Sequence, residues 1–168
     1  MKKIVFFVVV FILVSGFCFA ADPVEGYWIS WDEKTGKATA GWEIYTVGDK
    51  LFGRILSVAD HPQDVKATNC QESYKGFNVP GKVNQMTVVG TSWIFDLTLD
   101  RGKTGNWSGG SIIDPDGGKM YKCKITYHPA DGKKYKVETL EMRGEIGLGI
   151  GRSQYWQRAS QTEASSVR

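Results

Sequence analysis

Glu43, Glu138 and Glu141 are the carboxylates best suited to acid and base work, which needs two of them to meet in a cleft with pKa values pushed apart. The sequence gives no sign that two of them converge, so a hydrolase is the last of three functional readings. His61 and His128 each precede a proline and have no Ser or Cys partner in reach of the sequence, which favours solvated imidazoles over a general base. Asp114 and Asp116 sit two apart but lack the further oxygen ligands that calcium requires, and a hairpin turn explains Asp114-Pro115-Asp116-Gly117-Gly118 better. Cys70, Cys123 and the two histidines do not form a zinc spacing, so neither metal nor cofactor is expected. Gly144, Gly147, Gly149 and Gly151 suggest a phosphate loop, yet no strand-helix unit surrounds them, and they read as bends or bulges in strands.

The aromatic residues are more informative. Trp42, Trp93, Phe95, Trp107 and Tyr121 fall at positions where one face of a strand is dry, and rings of that size either fill a barrel or wall a cavity. Tyr121 and Arg54 are the candidates for polar contacts to a bound molecule.

These side chains must be positioned by strands. Trp93, Phe95, Leu97 and Leu99 alternate with Asp96 and Thr98, and Tyr121, Cys123, Ile125 and Tyr127 alternate with Lys122, Lys124 and Thr126. Turn residues recur at Val47-Gly48-Asp49-Lys50, in the Asp114 to Gly118 run and at Pro129-Ala130-Asp131-Gly132. Counting Tyr27 to Trp31, Trp42 to Thr46, Leu51 to Val58, Val83 to Val89, Trp93 to Leu99, Trp107 to Ile113, Met120 to Tyr127, Tyr135 to Met142 and Arg152 to Arg158 gives about nine strands in an antiparallel meander. The expected fold is all-β, a barrel of about 8–10 strands whose closure removes exposed edges. Ala59 to Pro80 is the one long connection, of a length that is usually functional or mobile.

Residues 1–20 read as a signal peptide: Lys2 and Lys3, an apolar run from Ile4 to Val14, then small residues to Ala20. The run is too short for a membrane span, and no later stretch is apolar enough to be one. Residues 21–159 form a single barrel domain, and 160–168 a disordered polar tail. Once Lys2 and Lys3 are removed, the basic excess over 18 acidic residues nearly vanishes, so nothing draws nucleic acid or anionic lipid from a distance. In an oxidising periplasm Cys70 and Cys123 can pair, or they remain two separate thiols.

Gly26-Tyr27-Trp28 resembles the Gly-x-Trp of lipocalins and other calycins, in which the Trp plugs one end of the barrel beneath a basic side chain of the last strand. That resemblance makes Arg158 the first choice for the partner and Arg152 the second. Leu51-Phe52-Gly53-Arg54-Ile55, the stretch from Trp107 to Pro115, Gly118 to Lys122, Arg143 to Gly147 and Gly151-Arg152-x-x-x-Trp156-x-Arg158 together resemble the bacterial family called domain of unknown function 2147. The resemblance implies a signal-bearing envelope protein with a lipocalin-like barrel and no established reaction. Members often carry a Cys-x-x-Cys in the long loop. Here the stretch is Cys70-Gln71-Glu72-Ser73, which leaves Cys70 to pair with Cys123 or stay free.

The leading expectation is a non-enzymatic periplasmic or secreted carrier that holds a small apolar or amphipathic molecule in the barrel mouth, under the 59–80 loop. The alternative is an envelope interaction protein with a filled barrel, acting through that loop and outward aromatics such as Trp31.

Overall fold

The computed structural model describes residues 21–168, so the expected signal peptide lies outside the described residues. Eight antiparallel strands follow one another around a closed barrel: β1 Gly26–Trp31, β2 Ala38–Val47, β3 Lys50–Val58, β4 Ser92–Leu99, β5 Asn106–Asp114, β6 Lys119–His128, β7 Thr139–Gly147 and β8 Ile150–Ala159. Closure comes from β1 pairing with β8, with Trp28 opposite Arg158 and Ile29 opposite Gln157. Every strand therefore has two neighbours, which removes the pair of open edges an unclosed sheet would present.

The expected strand from Val83 to Val89 is not one of them. Its residues form a single 3-10 turn, Val83–Gln85, and one isolated bridge between Thr87 and Lys66. The β3–β4 connection instead zips onto itself, through Ala67 N donating to Met86 O at 3.0 Å and Val88 N to Val65 O at 2.9 Å. It is anchored at the β5–β6 turn by the Tyr74 hydroxyl, which donates to Gly118 O at 2.8 Å, and by Asn69 Nδ2 donating to Asp116 O at 2.8 Å. Gly118 is required there: a Cβ would lie 2.0 Å from Asn69 O.

The segment expected to be a disordered tail is ordered. Ser160 caps α1, Gln161–Ala164, in a reciprocal capping box with Glu163. Beyond it Ala164 and Val167 are buried. The Ser57 hydroxyl on β3 donates to Ala164 O at 2.7 Å and accepts from Val167 N at 3.1 Å. Gly41 on β2 leaves the room, since a Cβ would fall 1.6 Å from Ala164 O. Polar composition suggested a solvated tail; the site that receives it is two small residues on neighbouring strands, which no local signal marks.

Candidate functional site

One end of the barrel is sealed. Trp28 is fully buried, and its indole N donates to Val24 O at 2.9 Å, which pins the segment before β1 across the barrel floor. The Arg158 guanidinium lies 3.9 Å over the Trp28 ring and 5.9 Å from that of Tyr127. It donates to Glu25 O at 2.6 Å, to Pro23 O, and to Glu138 Oε2 at 2.8 Å. Gly26, at φ 119, admits this group: a Cβ there would stand 2.8 Å from Arg158 Nη1. Hydrogen bonds from Tyr127 and Arg158 hold the Glu138 carboxyl below its ordinary range. Burial and the Glu138 carboxylate push the Tyr127 phenol up. Arg152, the second choice as Trp28's partner, is six residues away along β8 at the opposite end, where it meets Glu33 at 3.4 Å.

Above the plug, Trp42 and Trp156 stack with centroids 4.6 Å apart and make an aromatic floor. Their indole nitrogens are satisfied, by Ser30 Oγ at 3.3 Å and Gln154 Oε1 at 3.2 Å. Over this floor opens a cavity of about 1130 Å³, walled by Ile55, Ile112, Tyr121 and Met142. Its rim carries the polar groups, among them Asp32, Lys37, His61, Asn69, Asp114 and Arg152. Part of the long loop, from Val65 to Asn69, thus borders the mouth. The interior is filled below and hollow above. Apolar walls and a mixed-charge rim can hold an aliphatic body with a polar end turned to water.

Of the expected lining residues, Trp42 and Tyr121 are on the cavity wall, and the other four are not. Ile94 pairs with Gly53 while Leu97 pairs with Leu51, so β4 has one residue more than β3 in this interval. Asp96, at φ 61, sits in that bulge. The bulge lets Ile94 and Leu97 both take the interior register, which turns Trp93 and Phe95 outward. They remain buried because Phe77 of the long loop packs on both rings, at 6.0 and 4.8 Å, and Trp93 Nε1 donates to Val88 O at 2.8 Å. Arg54 is on the outer face, half-exposed, in an ion pair with Glu43 at 2.5 Å and over the Tyr45 ring at 5.5 Å. Trp107 is buried near the sealed half with its indole N unpartnered, away from the cavity wall.

Cys70 and Cys123 are separate thiols, both buried. Cys70 Sγ sits 3.9 Å from Pro115 O at the β5–β6 turn, whereas Cys123 stands opposite Gly110 in mid-strand. Five strand residues separate those two positions, about 16 Å, beyond the reach of a disulfide. Burial raises both thiols, Cys123 far above its ordinary value.

The carboxylates do not converge. Glu43 pairs with Arg54, Glu138 with Arg158, and Glu141 with His128 at 3.0 Å. Burial raises the Glu141 carboxyl, but hydrogen bonds from Ser153 and His128 outweigh it and lower its pKa. Ser153 donates to Glu141 at 2.6 Å and not to His128, so this trio lacks the serine–imidazole contact a nucleophile needs. Among the described residues no cluster of His, Cys, Asp and Glu could hold a metal. The polar interior pair Ser30 and Gln154 escaped the sequence reading, although alternation from Trp28 and Trp156 places both on the inner face.

A family model described as an uncharacterized protein conserved in bacteria (DUF2147) matches residues 26–158. Among solved structures, protein HP1028 from Helicobacter pylori, described as belonging to the lipocalin family, is similar with a TM-score of 0.61 at 17% identity. The match covers 83% of this chain and 84% of that one. No curated protein matches the chain.

Proposed function

We propose, from the premise that this chain belongs to the DUF2147 family and has a lipocalin-like barrel, that it is an exported, non-enzymatic carrier of a small apolar or amphipathic molecule. The observation that carries this reading is the division of the interior: an aromatic floor and aliphatic walls below, ionic groups confined to the rim. A ligand burying about 250 Å² of apolar surface gains roughly 6 kcal/mol before association costs, which supports micromolar to millimolar binding. Arg152, Lys37 and Asp114 at the rim supply polar partners for a head group of either charge. The order of Lys2 and Lys3, an apolar run from Ile4 to Val14 and small residues to Ala20 supports delivery to the periplasm or beyond.

Gly144 provides the test. It lines the cavity, and a Cβ there meets Tyr121 at an ordinary 3.5 Å, so Gly144→Leu is expected to place a side chain in the cavity and narrow it. Native mass spectrometry of protein purified from its own envelope is expected to show a co-purifying small molecule that the variant lacks. Repeated absence of any such adduct on the wild type, together with no binding of acyl-chain amphiphiles in titration, counts against a carrier.

A further inference from the structure

The β7–β8 hairpin stands at the open end of the barrel and ends in Ile146-Gly147-Leu148-Gly149-Ile150. Ile146 and Ile150 border the cavity mouth, yet they are 72% and 62% exposed, and Leu148 between them is fully exposed. A Cβ added to Gly147 or Gly149 would meet nothing within 4 Å, so the turn is open to solvent on both sides of Leu148.

The turn is built against its own backbone preference. Leu148 and Gly149 both have positive φ, 48° and 75°, the pattern of a two-residue hairpin turn in which Asn-Gly is the favoured pair. Leucine is a poor occupant of left-handed backbone, and here its side chain gains no contact in return. Strain retained at an exposed position points to use outside the fold.

We propose that this hairpin is a membrane-docking tip that places the cavity mouth against the acyl layer of a lipid bilayer. Three aliphatic side chains on a convex point cannot cover the roughly 800 Å² per partner of a stable protein interface, nor do they offer a groove for one. A bilayer needs no complementary shape, only an apolar surface able to enter the headgroup boundary. The apolar track also continues from the tip through Ile146 and Ile150 into the cavity wall, so a chain-like molecule can pass between bilayer and barrel without crossing water. Charge plays a secondary part. Arg143 donates to Gly149 O at 2.8 Å and to Glu145 at 2.9 Å, and Arg152 is shared with Glu33. These pairings leave little net attraction, so docking is driven by insertion. The transfer of cargo rests on the carrier reading, but the docking does not.

The test uses the chain from residue 21, which contains every strand of the closed barrel, and vesicles of phosphatidylcholine alone. Co-sedimentation is expected at roughly millimolar lipid, below the strength of a myristoyl anchor, with little dependence on salt. Leu148→Asn puts Asn-Gly in the turn, so it preserves or raises the unfolding midpoint while weakening vesicle binding roughly tenfold. Adding I146S and I150S is expected to abolish it. Wild-type protein that stays in the supernatant, or variants that sediment as well as wild type, overturns the proposal. So does a dimer in analytical ultracentrifugation that L148N dissolves, since a second copy would then be the occupant. None of these outcomes bears on whether the cavity binds small molecules, so failure of the docking proposal is distinct from failure of the carrier reading.

Discussion

Replacing Arg158 with Met removes the guanidinium that joins the first strand, the segment before it and the last strand. Its stack on Trp28 at 3.9 Å, desolvated under that segment, contributes about 2 kcal/mol. The hydrogen bonds to Pro23 O and Glu25 O are charge-assisted, each roughly 1.5 to 3 kcal/mol. The ion pair with Glu138 is partly solvated and adds less than about 1 kcal/mol. Methionine recovers part of the apolar contact, and water reaches part of what is vacated, so a net loss of about 3 to 4 kcal/mol is expected. For a domain of this size that is on the order of 10 °C in melting temperature. R158K should recover only part of the loss, because an ammonium cannot address two carbonyls in a fixed plane while stacking on the indole. R152M is the control: Arg152 is exposed at the opposite end and its loss should stay within about 0.5 kcal/mol. Urea unfolding followed by tryptophan fluorescence measures all three. If R158M and R152M shift the midpoint equally, barrel closure does not depend on the guanidinium seal.

The tail contact predicts that Gly41→Ala costs about 1 to 3 kcal/mol in the full chain but little in a chain ending at residue 159, where Ala164 O is gone; equal costs in both would contradict the packing. Cys123, in a chain from residue 21 carrying C70S, should resist a thiol reagent at mildly alkaline pH until urea unfolds the barrel, and native labelling at the unfolded rate would place it elsewhere. Glu138 has its folded pKa held below the ordinary 4.5, so its stabilisation is fully present above that value and disappears as pH falls through the lower folded one. Wild type and E138Q should therefore differ modestly in urea midpoint near neutrality and converge in strong acid; a gap that widens on acidification would reverse the assigned sign.

The comparison of cavity and sealed end shows which features were legible in the residue order. Strand alternation around Tyr121, Cys123 and Ile125 and the turn residues at Gly48 and Asp114 to Gly118 specified an antiparallel meander, because period-two burial and turn chemistry are local. Trp28 and Arg158 were legible through a resemblance that survives at the two ends of the barrel. Trp93 and Phe95 were assigned to the wrong face because a single bulge at Asp96 inverts everything before it, and a bulge at a non-glycine residue leaves no mark in the pattern. The tail was misjudged for a related reason: Gly41 and Ser57 receive it from strands over a hundred residues away.

The sequence by itself determined an all-β chain with alternating faces and an aromatic-rich interior, since both follow from side-chain type and near-neighbour spacing, while the Trp28–Arg158 lock was carried by the resemblance of the two chain ends to lipocalins. Only the tertiary structure decided that the interior is solid below Trp42 and Trp156 and hollow above, and that Cys70 and Cys123 lie too far apart to join. It alone also shows that Ile146, Leu148 and Ile150 stand unpartnered beside the opening. Those outcomes depend on where eight strands meet after closure, and register, bulge and stagger are properties of the whole sheet that no single segment carries.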